Sequence, residues 1–103
     1  MHAVAVRFEL FVPESRSLKD KRALVRPIID GLRHKVKVSV AEVDHHDTWQ
    51  RAAVAVALVA ESMHRLQELL QIVERQIAFA PGVELLDVET AWLDPESALT
   101  LGE

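Results

Sequence analysis

The sequence predicts a ferredoxin-like α+β sandwich, a four-stranded antiparallel sheet with two helices on one face. Three observations lead there: four segments alternate apolar and polar residues with the period of a strand, two carry apolar residues at helical spacing, and their order is strand, helix, strand, strand, helix, strand. That order makes two split βαβ halves, although no residue-level repeat relates them. The first and third strands should then lie centrally, the second and fourth at the edges, and one sheet face should stay open.

Each element has its own signal. From His2 to Phe11, Val4, Val6, Phe8 and Leu10 alternate with Ala3, Ala5, Arg7 and Glu9, as in a half-buried strand. Ser17 stands three residues before Asp20, an N-cap signature, and Leu18, Val25, Ile28, Ile29 and Leu32 follow at helical spacing. A helix is expected from about Leu18 to His34, kinked near Pro27, whose ring crowds the Ala23 carbonyl. Val36, Val38 and Val40 begin a second strand that ends at the polar run Asp44, His45, His46, Asp47, a hairpin turn. The third strand runs from Trp49 to about Val59, with Ala52, Val54, Val56 and Leu58 opposed to Trp49, Arg51, Ala53, Ala55 and Ala57. Its alanine content permits a helix, but it has no polar helical face. Met63, Leu66, Leu69, Leu70, Val73 and Ile77 make the stripe of a second helix, which Pro81 and Gly82 stop. Val83 to Trp92 supplies the fourth strand. One domain is expected over residues 1–93, followed by a short polar tail at 94–103.

Composition narrows the function classes. The chain has no Cys, which excludes disulfides, thiolate metal sites and thiol nucleophiles, and its few glycines form no phosphate-cradling loop. Neither a signal peptide nor an apolar run of membrane-spanning length is read, so a cytoplasmic protein without a membrane partner is expected. Charge is strongly polarised. Eight of the twelve Lys and Arg residues lie between Arg16 and Lys37, whereas Glu61 to Glu103 holds nine acids against two bases.

At 100° per residue, Lys19, Arg22, Arg26 and Arg33 fall within an arc of about 60° beside the apolar stripe of the first helix. Lys35 and Lys37 extend the charge past its end, and Lys21, nearer the buried side, is expected to snorkel out at the first turn. Such a ridge suits phosphates, because each neutralised phosphate releases counterions. The competing reading is a solvated helix face, or a ridge that meets an acidic patch on a second copy.

The open sheet face carries Ala3, Ala5, Arg7, Arg51, Ala53, Ala55 and Ala57. It lacks the paired aromatics on which RNA recognition motifs stack bases, and no GXXG clamp is present; Phe11 and Trp49 lie only at strand ends. A smooth, small-residue face suits another sheet, so it is the expected homodimer or partner interface. Trp49 and Trp92, at strand ends, are expected to close the core or an interface.

No catalytic constellation emerges. Asp44, His45, His46 and Asp47 are metal-ligand types, but neighbours in a turn diverge and a further ligand such as His64 would be required, so a polar turn is expected and no metal. His2 is read as incidental. Glu42 and Asp44 should share one strand face, as solvated acids without a pocket. No cofactor and no small-molecule substrate are expected.

Ser17-Leu18-Lys19-Asp20-Lys21-Arg22 and Val38-Ser39-Val40-Ala41-Glu42-Val43, followed by Asp47, Trp49, Gln50, Arg51 and Ala52, resemble the YlxP-like family of small bacterial proteins, a domain of unknown function. The resemblance spans nearly all of Met1 to about Leu93. It implies a cytoplasmic ferredoxin-like domain, often encoded near genes for translation initiation and ribosome maturation, and no established activity. The chain departs from the family pattern at Lys37, where Asn is common, and at Pro27. Together these readings lead to the expectation of a non-enzymatic accessory protein that meets RNA or a ribosomal particle through Lys19, Arg22, Arg26, Arg33, Lys35 and Lys37. The alternative is a homodimeric interaction module that uses the open sheet face.

Overall fold

The computed structural model describes residues 1–93, and the polar tail expected at 94–103 lies outside them. The order is β1 (His2–Phe11), α1 (Leu18–Gly31), a π-helical turn (Leu32–Val36), β2 (Ser39–Asp44), β3 (Arg51–Ala60), α2 (Met63–Ala78) and β4 (Glu84–Leu93). The four strands form one antiparallel sheet in the order β2-β3-β1-β4. The ferredoxin-like expectation holds.

Alternation fixes the inner face. Val4, Val6, Phe8 and Leu10 of β1 and Ala52, Val54, Val56 and Leu58 of β3 are buried, together with Val25 and Ile28 of α1 and Leu66, Val73 and Ile77 of α2. Both helices begin on a serine cap: Ser17 Oγ accepts from the Asp20 N–H at 3.0 Å, and Ser62 Oγ accepts from the Arg65 N–H at 3.1 Å. Leu24 packs on the turn into β4, where Gly82 has φ of +78° and a Cβ would meet the Leu24 side chain. Only glycine combines that left-handed backbone with so close a neighbour.

Three boundaries differ from expectation. Helix α1 keeps Pro27 inside it but leaves the α-helical ladder at Gly31, three residues early, and closes through the π turn. Strand β2 therefore starts at Ser39, not near Val36, and Lys37 between them is left-handed with φ of 64°. A left-handed residue is where Asn is better tolerated than Lys. The hairpin turn is longer than expected, so β3 begins at Arg51 and Trp49 stands in the turn.

The helices do not cover the sheet evenly. All ten residues of β4 are exposed, although its apolar side chains Leu85, Val88 and Trp92 sit opposite the core residues Leu10, Phe8 and Val4. Trp49 and Trp92 are 55% and 49% exposed, so neither closes the core, and of the two expected roles only an interface is left to them.

The expectation for Lys21 is overturned. Instead of snorkelling it is 1% exposed, and its Nζ donates to the carbonyls of His45 at 2.6 Å, Arg51 at 3.3 Å and His46 at 3.4 Å. Glu42 Oε1 lies 3.6 Å away. A buried ammonium is tolerated only when its donors and charge are matched, and here the inward ends of the β2–β3 turn supply both. Replacing Lys21 with Ala removes the donor from the Arg51 and His46 carbonyls, leaves His45 only the Thr48 N–H and strips Glu42 of its counter-charge, so Lys21→Ala should lose about 3 kcal/mol of folding free energy. Urea denaturation should show a lower midpoint at unchanged slope.

Candidate functional site

Helix α1 and the open sheet face each gather charged groups. On α1, the turns from Lys19 to Arg26 place Lys19, Arg22 and Arg26 along one shallow groove, with Ala23 and Pro27 as its floor and Asp30 at its end. All three cations are exposed and form no ion pair among the described residues. The first-turn acid is diverted: Asp20 accepts from the Arg16 N–H at 3.0 Å, which completes the cap.

The rest of the expected ridge separates. From Leu32 onward the chain is π-helical, so the projection at 100° per residue no longer applies to Arg33 or Lys35. Arg33 Nη2 donates to the Val40 carbonyl of β2 at 3.2 Å, while Lys35 and Lys37 stand exposed around the left-handed residue that follows. The structure thus brings together three of the six expected contacts and sets the other three around the link to β2.

Register decides what the open sheet face presents. Cross-strand partners share a face, so one row runs Ser39, Ala57, Ala5, Ala91 across all four strands and the next runs Ala41, Ala55, Arg7, Glu89. Beyond the first row lie Val59, Ala3 and Leu93, with Val59 68% exposed. This half is small and apolar.

The other half is an ionic cluster around Glu9. Arg7 donates to Glu9 Oε1 through Nη2 at 2.6 Å and Nε at 3.1 Å, Arg51 Nη2 donates to Oε2 at 2.8 Å, and His45 Nε2 lies 3.1 Å from Oε2. Arg7 also reaches Asp44 Oδ2 at 3.0 Å. Arg7 above all, then Arg51 and His45, hold the Glu9 carboxyl at about 2, well below its ordinary 4.5, against the upward push of partial burial. The His45 backbone N–H, 2.7 Å from Oδ1, lowers Asp44 together with Arg7. Glu9 in turn holds Arg7 more firmly protonated.

Several expectations are corrected here. Arg7 and Arg51 are engaged by Glu9, and Ala53, opposite Glu9 and Asp44, is fully buried and offers no surface to a partner. The smooth face contracts to Ala3, Ala5, Ala55 and Ala57 with their newly matched neighbours on β2 and β4. Glu42 and Asp44 do not share a face, because a bulge at Val43 leaves Glu42 opposite core Val54 and turns Asp44 to the open side. His45 and His46 diverge, one to Glu9 and the other, at 3.2 Å, to the Glu42 carbonyl. No group of three or more His, Cys, Asp or Glu among the described residues is placed to hold a metal. Sequence reasoning missed Glu9 as a hub. Its alternation with Arg7 on the face shared with Arg51 was the available signal.

No helix among the described residues is long and apolar enough to cross a membrane. Residues 4–90 match a family model described as a protein of unknown function, DUF503. The chain is 33% identical over 84 residues to the uncharacterized protein YlxP of Bacillus subtilis (strain 168), which covers 82% of this chain and 91% of that protein. Solved structures share the fold at low identity. The de novo designed protein Foldit4 aligns with a TM-score of 0.54 at 15% identity, covering 88% of this chain and 97% of that one. A second de novo design, LFR1 1 with ferredoxin fold, gives 0.53 at 12% identity, covering 91% and 87%. Rv0793 of Mycobacterium tuberculosis gives 0.50 at 17%, covering 90% and 94%.

The Glu9 cluster has a pH signature. Because its folded value lies below the ordinary one, Glu9 stabilises the fold fully above about 4.5, and that contribution is lost as pH falls toward about 2. Glu9→Gln should therefore be less stable than the parent at pH 7, with the gap closing across this window. Urea midpoints at pH 7, 4 and 2.5 measure it, and a constant gap contradicts the role assigned to Glu9.

Proposed function

The chain belongs to DUF503, a family of proteins of unknown function, and on that footing we propose that it is a non-enzymatic accessory protein that binds RNA, free or in a ribosomal particle, through phosphate contacts on α1. One observation carries this reading: Lys19, Arg22 and Arg26 line a single groove, exposed and without ion pairs among the described residues. Around Glu9 and Lys21, by contrast, the charges are matched internally. Three cations spread over the eight residues from Lys19 to Arg26 span about 10 Å of helix. That length suits successive phosphates of a strand, with Asp30 the single acid, at one end of the groove. Genes for translation near those of the resembling family favour RNA among polyanions. The smooth sheet face offers no aromatic platform, so the contact is to backbone rather than to base sequence.

A second reading rests on the row Ser39, Ala57, Ala5, Ala91 and the exposed Val59 and Leu93 beside it. Small side chains on an uncovered sheet favour face-to-face packing with a second copy. In this reading the polar Glu9 end lies at the rim.

Each reading has a direct measurement. Binding of a fluorescent single-stranded RNA should weaken with salt with a logarithmic slope of about −2 for three phosphate contacts. The Arg22→Glu/Arg26→Glu variant should bind more than tenfold more weakly at about 50 mM salt, and unchanged binding rejects the assignment. For the dimer, the parent should sediment at twice the monomer mass and Ala57→Arg at the monomer mass. Identical profiles remove that reading.

A further inference from the structure

The basic groove does not end at its apolar floor. Ala23 and Pro27 are shared with a second depression of about 300 Å³, between α1 and the C-terminal end of α2. Its walls are Leu24 and Ile28 of α1 and Phe79, the residue that caps α2, and Gln76 supplies the one polar side chain. Phe79 is 84% exposed, the most exposed large apolar side chain among the described residues. Its backbone is fixed, since its N–H donates to the Arg75 carbonyl at 3.0 Å.

The two depressions differ in chemistry and touch along one edge. One is flanked by unpaired cations, and the other is apolar with a free aromatic face and a single amide. Among biological ligands, a nucleotide has this division: a flat base with a hydrogen-bonding edge, joined through a sugar to a phosphate. Aromatic stacking of unpaired bases beside a cationic track is the general means of holding single strands. A Gln amide offers both donor and acceptor to a base edge. A base paired in a duplex has both its faces stacked and its edge occupied, so it cannot enter.

Resting on the RNA reading above, we propose that this pocket receives one unpaired RNA base, stacked on Phe79 with Gln76 at its edge, while the adjoining phosphates lie on Arg22 and Arg26. The recognition surface is then the seam between the helices, on the opposite side of the sheet from the face that RNA recognition motifs use. The charge matches on one side of the seam and the apolar area on the other, which selects single-stranded segments or loops over paired RNA.

The test compares four proteins, the parent, Phe79→Ala, Phe79→Trp and Arg22→Glu/Arg26→Glu, by fluorescence anisotropy against a labelled oligouridylate and a fully paired RNA duplex at low salt. Phe79 is so exposed that its removal leaves the core intact, and thermal melts of each variant establish that. The parent should prefer the single strand, Phe79→Ala should lose about tenfold on the single strand only, and Phe79→Trp should keep the preference. Equal binding of both RNAs, unaffected by Phe79→Ala yet abolished by the charge reversal, overturns the pocket and leaves phosphate binding standing. Failure of the parent to bind either RNA overturns phosphate binding, and the pocket with it.

Discussion

The fold turns on one buried ammonium. Lys21 leaves the first turn of α1, crosses beneath the end of the sheet and gathers the carbonyls of His45, His46 and Arg51, with Glu42 as counter-charge. The His45 carbonyl also accepts from the Thr48 N–H at 3.0 Å, and Lys21 adds the ammonium that gathers all three carbonyls. The contact joins the helical layer to the β2–β3 turn. Gln50 ties the same turn to the chain before α1, donating to the carbonyls of Pro13 and Ser15 at 3.2 Å each. With the turn held from below, His45 and Arg51 reach Glu9 from above. Lys21, Glu42, Gln50 and Arg51 all belong to the segments that carry the family resemblance, and their observed work is to anchor this corner.

Once the corner is fixed, the charges of the sheet become mutually satisfying. Glu9 draws in Arg7, Arg51 and His45, and Ala53 disappears between them. The bulge at Val43 sorts the two acids of β2, sending Glu42 to Lys21 and Asp44 to Arg7. Among the groups left without internal partners are three cations gathered on α1, a band of small residues at the far end of the sheet, and the aromatic at the end of α2. Surface groups without internal partners are where an external one gains most.

The helical layer explains why α1 presents both a cationic groove and a pocket. Leu24 and Ile28 are pulled toward α2 and the turn at Gly82, while Lys19, Arg22 and Arg26 are one helical face away. At Gly31 the nearest neighbour from α2 is the movable amide end of Gln76. Immediately afterwards the π turn resets the angular position of the chain and delivers Val36 and Val38 to the edge of the core. The same reset takes Arg33 off the ridge and onto the β2 backbone.

Periodicity alone determined the order of the elements, their faces and most of the core, because a strand repeats every two residues and a helix every 3.6 whatever surrounds them. Charge polarity was equally legible, and so were the three cations within α1's regular turns. Tertiary structure alone decided which charges find each other. Arg7, Glu9, Arg51 and His45 come from separated segments, and their meeting depends on a register that no local pattern encodes. The bulge at Val43 inverted an alternation that looked secure, and the π turn broke a projection that assumed an unbroken α-helix. Lys21 reads locally as a snorkelling surface lysine. Only the turn brought over it from twenty-odd residues away makes burial the lower-energy state.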